Sequence, residues 1–319
     1  MFLDPDIITF QEIPLTNHGV SQMANFVLAF RPGFYLATNS GTDGFIRSAI
    51  LSRYPITRSS NQLDGASLTN FGYDGKFTRD LFEAEIAVPG WAQPLHVFTT
   101  HLKSGQDSDS TLRRAAETRA ITNFLIGTFR PAKPLRPYLL TGDFNEDVSA
   151  PPAGGVALSV LTSPGTGLQL ITPLNPVNGS SLTFSIQAAS LTRRYDYCLP
   201  GPLLTSNVTS SQVFRTDLAT NIAPALPGDD VTASDHLPLF VTFANPFAAP
   251  VRIGRVAATN GAVFLQWNTV AGGRYRVEAC TNFPAWTAFA TNLLATNGTL
   301  SLLTNAPAAP RFYRVRTEP

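Results

Sequence analysis

The chain has 319 residues, 44% hydrophobic and only 14% charged, which is enough for one large globular domain and a smaller one. Its formal net charge of +1 excludes a global basic field that would hold a polyanion, so phosphate must be met locally, by metal, arginine or backbone amides. No window approaches the ~18–20 uninterrupted apolar residues of a membrane span, and Cys198 and Cys280 match no metal or redox spacing and read as free, buried thiols.

In chain order, MFLDPDIITFQE has neither a basic start nor a long apolar core, so no signal peptide is read there. Residues 6–12 (DIITFQE) read as a short buried strand, and 18–30 as a helix from its apolar spacing. Strands are predicted at 45–56, at 81–88, where Phe82, Ala84, Ile86 and Val88 alternate, and at 94–105, which runs into a loop ending in glycine. The clearest helix spans 110–129, with Ser110 as its cap and Leu112, Ala115, Ala116, Ile121, Phe124 and Leu125 on one face. Three more strands follow at 137–145, 193–201 and 235–243, between long loops at 148–182 and 200–233. Many strands, about two helices and long loops fit a layered α+β or β-sandwich core. At 244–251, Pro246 and Pro250 mark a linker; beyond it five alternating runs predict a small all-β sandwich of about 65–70 residues. The domains are thus 1–246 and 251–319, the second without any cluster of acids or histidines.

Polar groups collect where strands end in the first domain. Glu12 follows DIITFQ, His101 follows HVFTT, Asp143 and Asn145 follow LLTG, and Asp235–His236 precede LPLFVTF. Strand ends fix position while loops admit substrate. The segment GDFNED crowds three carboxylates, which repel one another unless a cation, a proton or a hydrogen-bonded partner lies among them. A hard divalent cation takes carboxylate oxygen, and Glu12 and Asp235 are the natural direct ligands. Each group taken alone has a plain reading: a surface glutamate, an Asx turn, a loop cap, a satisfied histidine.

Taken in order, PDIITFQE, THLKSG, TGDFN, RRYDY and SDHLPL resemble the endonuclease/exonuclease/phosphatase superfamily, which includes the pancreatic-type deoxyribonucleases. The resemblance covers residues 1–243 and implies that superfamily's two-sheet sandwich. It implies that Glu12 holds Mg²⁺ or Mn²⁺ (Ca²⁺ being a further possibility), with Asp235 near the metal. It also implies that Asp143 orients or deprotonates water, that Asn145 aligns Asp143 and contacts phosphate, and that His236, held by Asp196, binds a phosphoryl oxygen. His101 resembles the general acid of the deoxyribonuclease branch, Asp80 its acidic partner, and Arg79 a phosphate ligand. Glu146 and Asp147 are then solvated neighbours. This set suits phosphodiester hydrolysis by water, which needs charge neutralisation on oxygen and a proton for the leaving alkoxide.

The family pattern opens with a strand bearing an asparagine, and neither precedes Glu12 here. The sequence is truncated, or another segment supplies the strand, or the fold does without it; a lost core strand leaves neighbouring edges open. The C-terminal run resembles small β-sandwich modules of secreted bacterial proteins, implying export and attachment to a surface or polymer. The expectation is therefore a secreted metal-dependent nuclease with DNA as the favoured partner, supported by the arginines of the 110–129 helix (Arg113, Arg114, Arg119) unless these are a solvated face. A phospholipid or small phosphodiester hydrolase is the alternative, with PPAGGVALSVL (151–161) as an exposed apolar loop and the near-zero charge in its favour. A truncated, inactive binding protein is the third reading.

Overall fold

The computed structural model describes residues 3–15, 17–184, 191–214, 234–259, 261–305 and 311–319. The chain divides into two compact units, Met1–Ala87 with Leu95–Ala244, and Val88–Pro94 with Asn245–Pro319. The first unit runs β1 (Ile7–Pro14), α1 (Asn17–Phe30), β2 (Tyr35–Thr38), β3 (Ile46–Ser52), β4 (Ile56–Asn61), β5 (Leu81–Ile86), β6 (Leu95–His101), α2 (Ser108–Phe124), β7 (Tyr138–Asp143), β8 (Asp196–Pro200), β9 (Val208–Val213) and β10 (Leu239–Phe243).

The larger sheet has the order β4-β5-β6-β7-β8, with β6–β7 parallel and the other pairs antiparallel. Adjacent parallel strands need a crossover, and α2 provides it. Because side chains alternate across a strand, the sheet has two working faces. Leu81, Phe98, Leu140 and Leu199 point to the helix side, where Ala116, Ala120, Ile121 and Phe129 complete the core. The opposite face meets a second sheet of order β1-β3-β2, with β1 over β6 and β7 and β3 over β5 and β6. Gln11 Nε2 donates to Thr99 Oγ1 at 2.9 Å across this gap. β9 and β10 form a separate antiparallel pair, and β1 is an edge strand of its sheet.

The second unit contains β11 (Ile253–Thr259), β12 (Ala262–Asn268), β13 (Arg274–Cys280), β14 (Thr287–Leu294), β15 (Thr299–Asn305) and β16 (Phe312–Glu318). Two three-stranded sheets, β11-β12-β15 and β14-β13-β16, close over Leu265, Trp267, Tyr275 and Val277. The molecule is an α+β sandwich with flanking helices plus a small all-β sandwich. Among the described residues no helix is long and apolar enough to cross a membrane.

Several elements differ from expectation. The 45–56 segment is not one strand, because Pro55 leads into a separate β4. β2 and β9 lie in stretches too short or too polar to show a period, and β11 (IGRVAAT) alternates only weakly. The helix cap is Asp107, whose side chain accepts the Ser110 N–H; Leu112 is 48% exposed and off the apolar face. Residues 157–161 are not an exposed loop but a short helix with Leu158 and Leu161 buried in the core. Both cysteines are free and buried.

Candidate active site

Register assembles the site. Asp143 on β7 pairs with His101 on β6 and with Asp196 on β8, so the three side chains form one row across adjacent strands. Their parity places them with Val97, Thr99 and Leu139, on the face turned from the helices toward β1. Gly142 lets the row close: its φ is +141°, and a Cβ there would lie 1.9 Å from the Thr100 carbonyl oxygen. Only glycine allows β6 and β7 to approach beside Asp143.

Asp143 is the hub. Its Oδ1 accepts the Asn145 backbone N–H at 2.8 Å, and its Oδ2 accepts Asn145 Nδ2 at 3.0 Å. His101 Nε2 is 3.2 Å and His236 Nε2 3.8 Å from that same Oδ2. Burial alone would raise the Asp143 pKa, but the hydrogen bond and charge of His101, the charge of His236 and the Asn145 amide hold it below the ordinary carboxylate range. On the far side, His236 Nδ1 bonds Asp196 Oδ2 at 2.8 Å. Burial disfavours the imidazolium, yet Asp196, Asp143 and Asp235 outweigh it and push His236 up to about 9. His236 is therefore a cation at neutral pH.

Glu12 approaches from the other sheet. The β1–β3 register slips between Phe10 and Ile13, a bulge that frees Gln11 and Glu12 from pairing. Glu12 sits at φ +60°, with its carboxylate 62% exposed and Oε1 4.0 Å from His101 Nε2. Asn145 is likewise at φ +51°. These are the two non-glycine residues with positive φ described in the first unit, Asn145 bonded to Asp143 and Glu12 facing His101; such strain concentrates at functional sites.

The three-residue group close enough to share an ion is Asp143, Asp196 and His236, with ligand atoms within 4.8 Å of one another. Neither expected ligand, Glu12 nor Asp235, belongs to it. The donor set fits a hard divalent cation through carboxylate oxygen, whereas a protonated His236 offers no lone pair. Asp235 is exposed and acts on His236 through its charge.

Several expected contacts differ from the geometry. No hydrogen bond or ion pair joins Asp80 to His101: Asp80 Oδ1 accepts the Leu63 N–H at 2.8 Å, while Asp80 Oδ2 and His101 Nδ1 are buried without partners. Burial pushes the Asp80 carboxyl up to about 6, against the Leu63 amide and with the charge of Asp64. Arg79 is buried and committed, donating to the His101 and Leu102 carbonyls at 3.1 Å each and pairing with Asp43 at 3.0 Å. It braces the end of β6 and reaches no open surface. Asn145 uses its Nδ2 protons on Asp143 and on Leu102 O (3.2 Å), an aligning role with none left for phosphate. Glu146 and Asp147 are buried, not solvated: Glu146 accepts the Ala157 N–H and pairs with Arg114, and Asp147 accepts the Ser149 and Arg194 amides. Arg114 is itself buried, donating to the Lys103 and Gly105 carbonyls, while Arg113 and Arg119 donate to Lys76 O and Phe71 O. Arg114 is thus closed to phosphate, whereas Arg119 is exposed with a single bond to Phe71 O.

Sequence reading missed the seat of His236. Phe184 bridges it in backbone pairing and packs its ring 4.8 Å away, and the Thr183 hydroxyl accepts the Asp196 N–H at 3.2 Å. SLTFS carries no period or motif that would have shown this.

A two-sheet sandwich with carboxylates and two imidazoles at the strand ends under a bulged glutamate defines a class, the metal-using phosphoesterases. The chain belongs to the endonuclease/exonuclease/phosphatase family, whose model matches residues 2–236. Among solved structures, an endonuclease/exonuclease/phosphatase from Beutenbergia cavernae is 16% identical with a TM-score of 0.53, covering 98% of this chain and 91% of its own. A 3'-5' exonuclease from Neisseria meningitidis (20% identity, TM-score 0.51) covers 75% of this chain and 89% of its own. The human nocturnin catalytic domain (18%, 0.52) covers 75% and 82%. These likenesses establish the fold. Comparison with curated proteins finds no match.

Proposed function

We propose that the chain is an extracellular, Mg²⁺- or Mn²⁺-dependent phosphodiesterase, acting on DNA by in-line attack of water. The observation that carries the reading is Asp143 held at both oxygens by Asn145 while facing two imidazoles, one of them cationic. Asp143, Asp196 and the free carboxylate of Glu12 are the oxygen donors available to a divalent cation, with Asp235 beside them. When bound, that cation neutralises charge on the phosphate oxygens and acidifies water.

The chain's own groups divide the remaining work. Asp143 positions the attacking water; a carboxylate held low is a weak base, so orientation is its larger contribution. His236, kept charged by Asp196, meets a non-bridging oxygen and stabilises the charge that builds there. In this reading His101 Nε2 gives a proton to the leaving oxygen. The likeness of the C-terminal run to modules of secreted bacterial proteins supports the extracellular setting.

The test compares DNA with phospholipid and small phosphodiesters in Mn²⁺, beside a calorimetric titration of the metal. DNA hydrolysis with metal binding weakened in Glu12→Ala is the expected result. Hydrolysis of the lipid alone would replace the substrate in this reading, and absence of metal binding would leave a non-catalytic binding protein.

A further inference from the structure

The second unit carries seven arginines, no lysine or aspartate, and two glutamates, a surplus of five positive charges. Set against +1 for the whole chain, that leaves the first unit at −4. The near-neutral total thus hides two opposed units.

Alternation gathers the positive charge on one face. Tyr275, Val277, Tyr313 and Val315 turn into the core, so Arg274, Arg276, Arg314 and Arg316 stand on the outside of β13 and β16. Register sets Arg276 opposite Arg316 and Glu278 opposite Arg314. Glu278 is almost covered: Arg314 bonds it, and the Nε atoms of Arg276 and Arg316 lie 3.1 and 3.7 Å from its oxygens. One carboxylate holds three guanidinium groups and neutralises one of them. Glu318 is engaged by the Asn292 N–H at 2.7 Å. The three guanidinium groups are partly exposed and leave a local surplus of positive charge open to an anion. An open depression of about 460 Å³ lies between Arg274, Arg276, Asn292 and Glu318, so this corner of the face is of mixed charge.

Large rings border this face. Phe312 shares it and is 51% exposed; its ring lies 4.5 Å from that of Phe283, which is 61% exposed. Phe283 packs 5.6 Å from Trp286, over which the Arg314 guanidinium sits at 4.3 Å. Guanidinium groups alone suit any polyanion. Exposed flat rings beside them add surfaces on which bases stack.

We propose that this outer face binds single-stranded nucleic acid, its arginines taking backbone phosphates and Phe283 and Phe312 stacking bases. This goes beyond the hydrolase reading and does not depend on it. The first unit, at −4, has no net positive charge with which to retain a polyanion, so the positive surplus lies in the second unit alone.

The experiment is fluorescence anisotropy of a labelled oligo-dT with the full chain in EDTA, across a salt series, so that no cleavage occurs. Arg276→Ser/Arg316→Ser should weaken binding about tenfold or more and flatten the log–log salt slope by about 1.4, or ~0.7 per lost phosphate contact. Phe283→Ser/Phe312→Ser should weaken it by about tenfold with the slope unchanged. Arg252→Ser/Arg255→Ser, outside this face, should stay within about twofold of the parent. Arg316→Ser alone, at the most exposed of the three arginines around Glu278, covers the case in which the double variant fails to fold. No binding by the parent, equal losses in the Arg252/Arg255 pair, or unchanged affinity in the arginine variants would overturn the proposal. So would equally tight binding of dextran sulfate with no loss in the phenylalanine variant. Failure of hydrolysis leaves this measurement intact, and failure here leaves hydrolysis by the first unit intact.

Discussion

Glu12 and Asn145 hold left-handed backbones that a side chain disfavours, one facing His101 and the other bonded to Asp143. If Glu12 is kept there for its carboxylate, Glu12→Gly should melt no earlier than the parent, since glycine accepts φ +60°, while losing metal affinity by calorimetry. Earlier melting with metal affinity retained would make the bulge a folding feature only. His236 offers a second residue-scale test. Its pKa is raised from 6.5 to about 9 in the folded state, so in metal-free protein its contribution to stability is full below about 6.5 and is lost as pH rises through about 9. NMR titration in EDTA should place its midpoint near 9, and Asp196→Asn should move it toward 6.5. Asp80 runs the other way. A buried carboxyl raised to about 6 is ionised at a cost above that pH, so Asp80→Asn should be more stable than the parent at pH 8, the gap closing below about pH 6 in denaturant unfolding. The identities of Asp143, His101, Asp196 and His236 were legible because short motifs carry them in a fixed order. The commitments of Arg79, Glu146 and Asp147 were not, because burial of a charged side chain is decided by elements distant in sequence.

At the scale of elements, the site depends on β6 and β7 ending side by side. Gly142→Ala should cost on the order of 2–4 kcal/mol, since the new Cβ would drive into the Thr100 carbonyl at a strained φ, and activity should fall with the melt. The α2 arginines separate structure from substrate binding. Arg114→Ala removes the ion partner of the buried Glu146 and the donor to the Lys103 and Gly105 carbonyls and should cost about 3–5 kcal/mol; Arg119→Ala, at an exposed bond to Phe71 O, should stay within about 1 kcal/mol. Denaturant titration of both variants decides this. Periodicity found the buried strands β5, β6, β7 and β8 and the helix α2. It missed the short or polar β2 and β9 and the weakly alternating β11 (IGRVAAT), and it fused β3 with β4, whose boundary lies at Pro55.

Across the whole molecule, separation of charge is the feature that composition concealed: a near-neutral chain is an acidic unit joined to a basic one. The two-unit plan itself was legible, since a proline-marked linker and a change from mixed to purely alternating pattern divide the sequence. The central claim remains chemical, the proposal that Asp143 and its partners hydrolyse the phosphodiester bonds of DNA with a divalent metal. The most direct measurement is nicking of supercoiled plasmid in Mg²⁺ or Mn²⁺, beside EDTA and Asp143→Ala. The account predicts metal-dependent nicking that EDTA abolishes and that Asp143→Ala lowers by about 10²–10⁴-fold. A folded, metal-loaded protein that leaves the plasmid intact, or an Asp143→Ala variant as active as the parent, would contradict it.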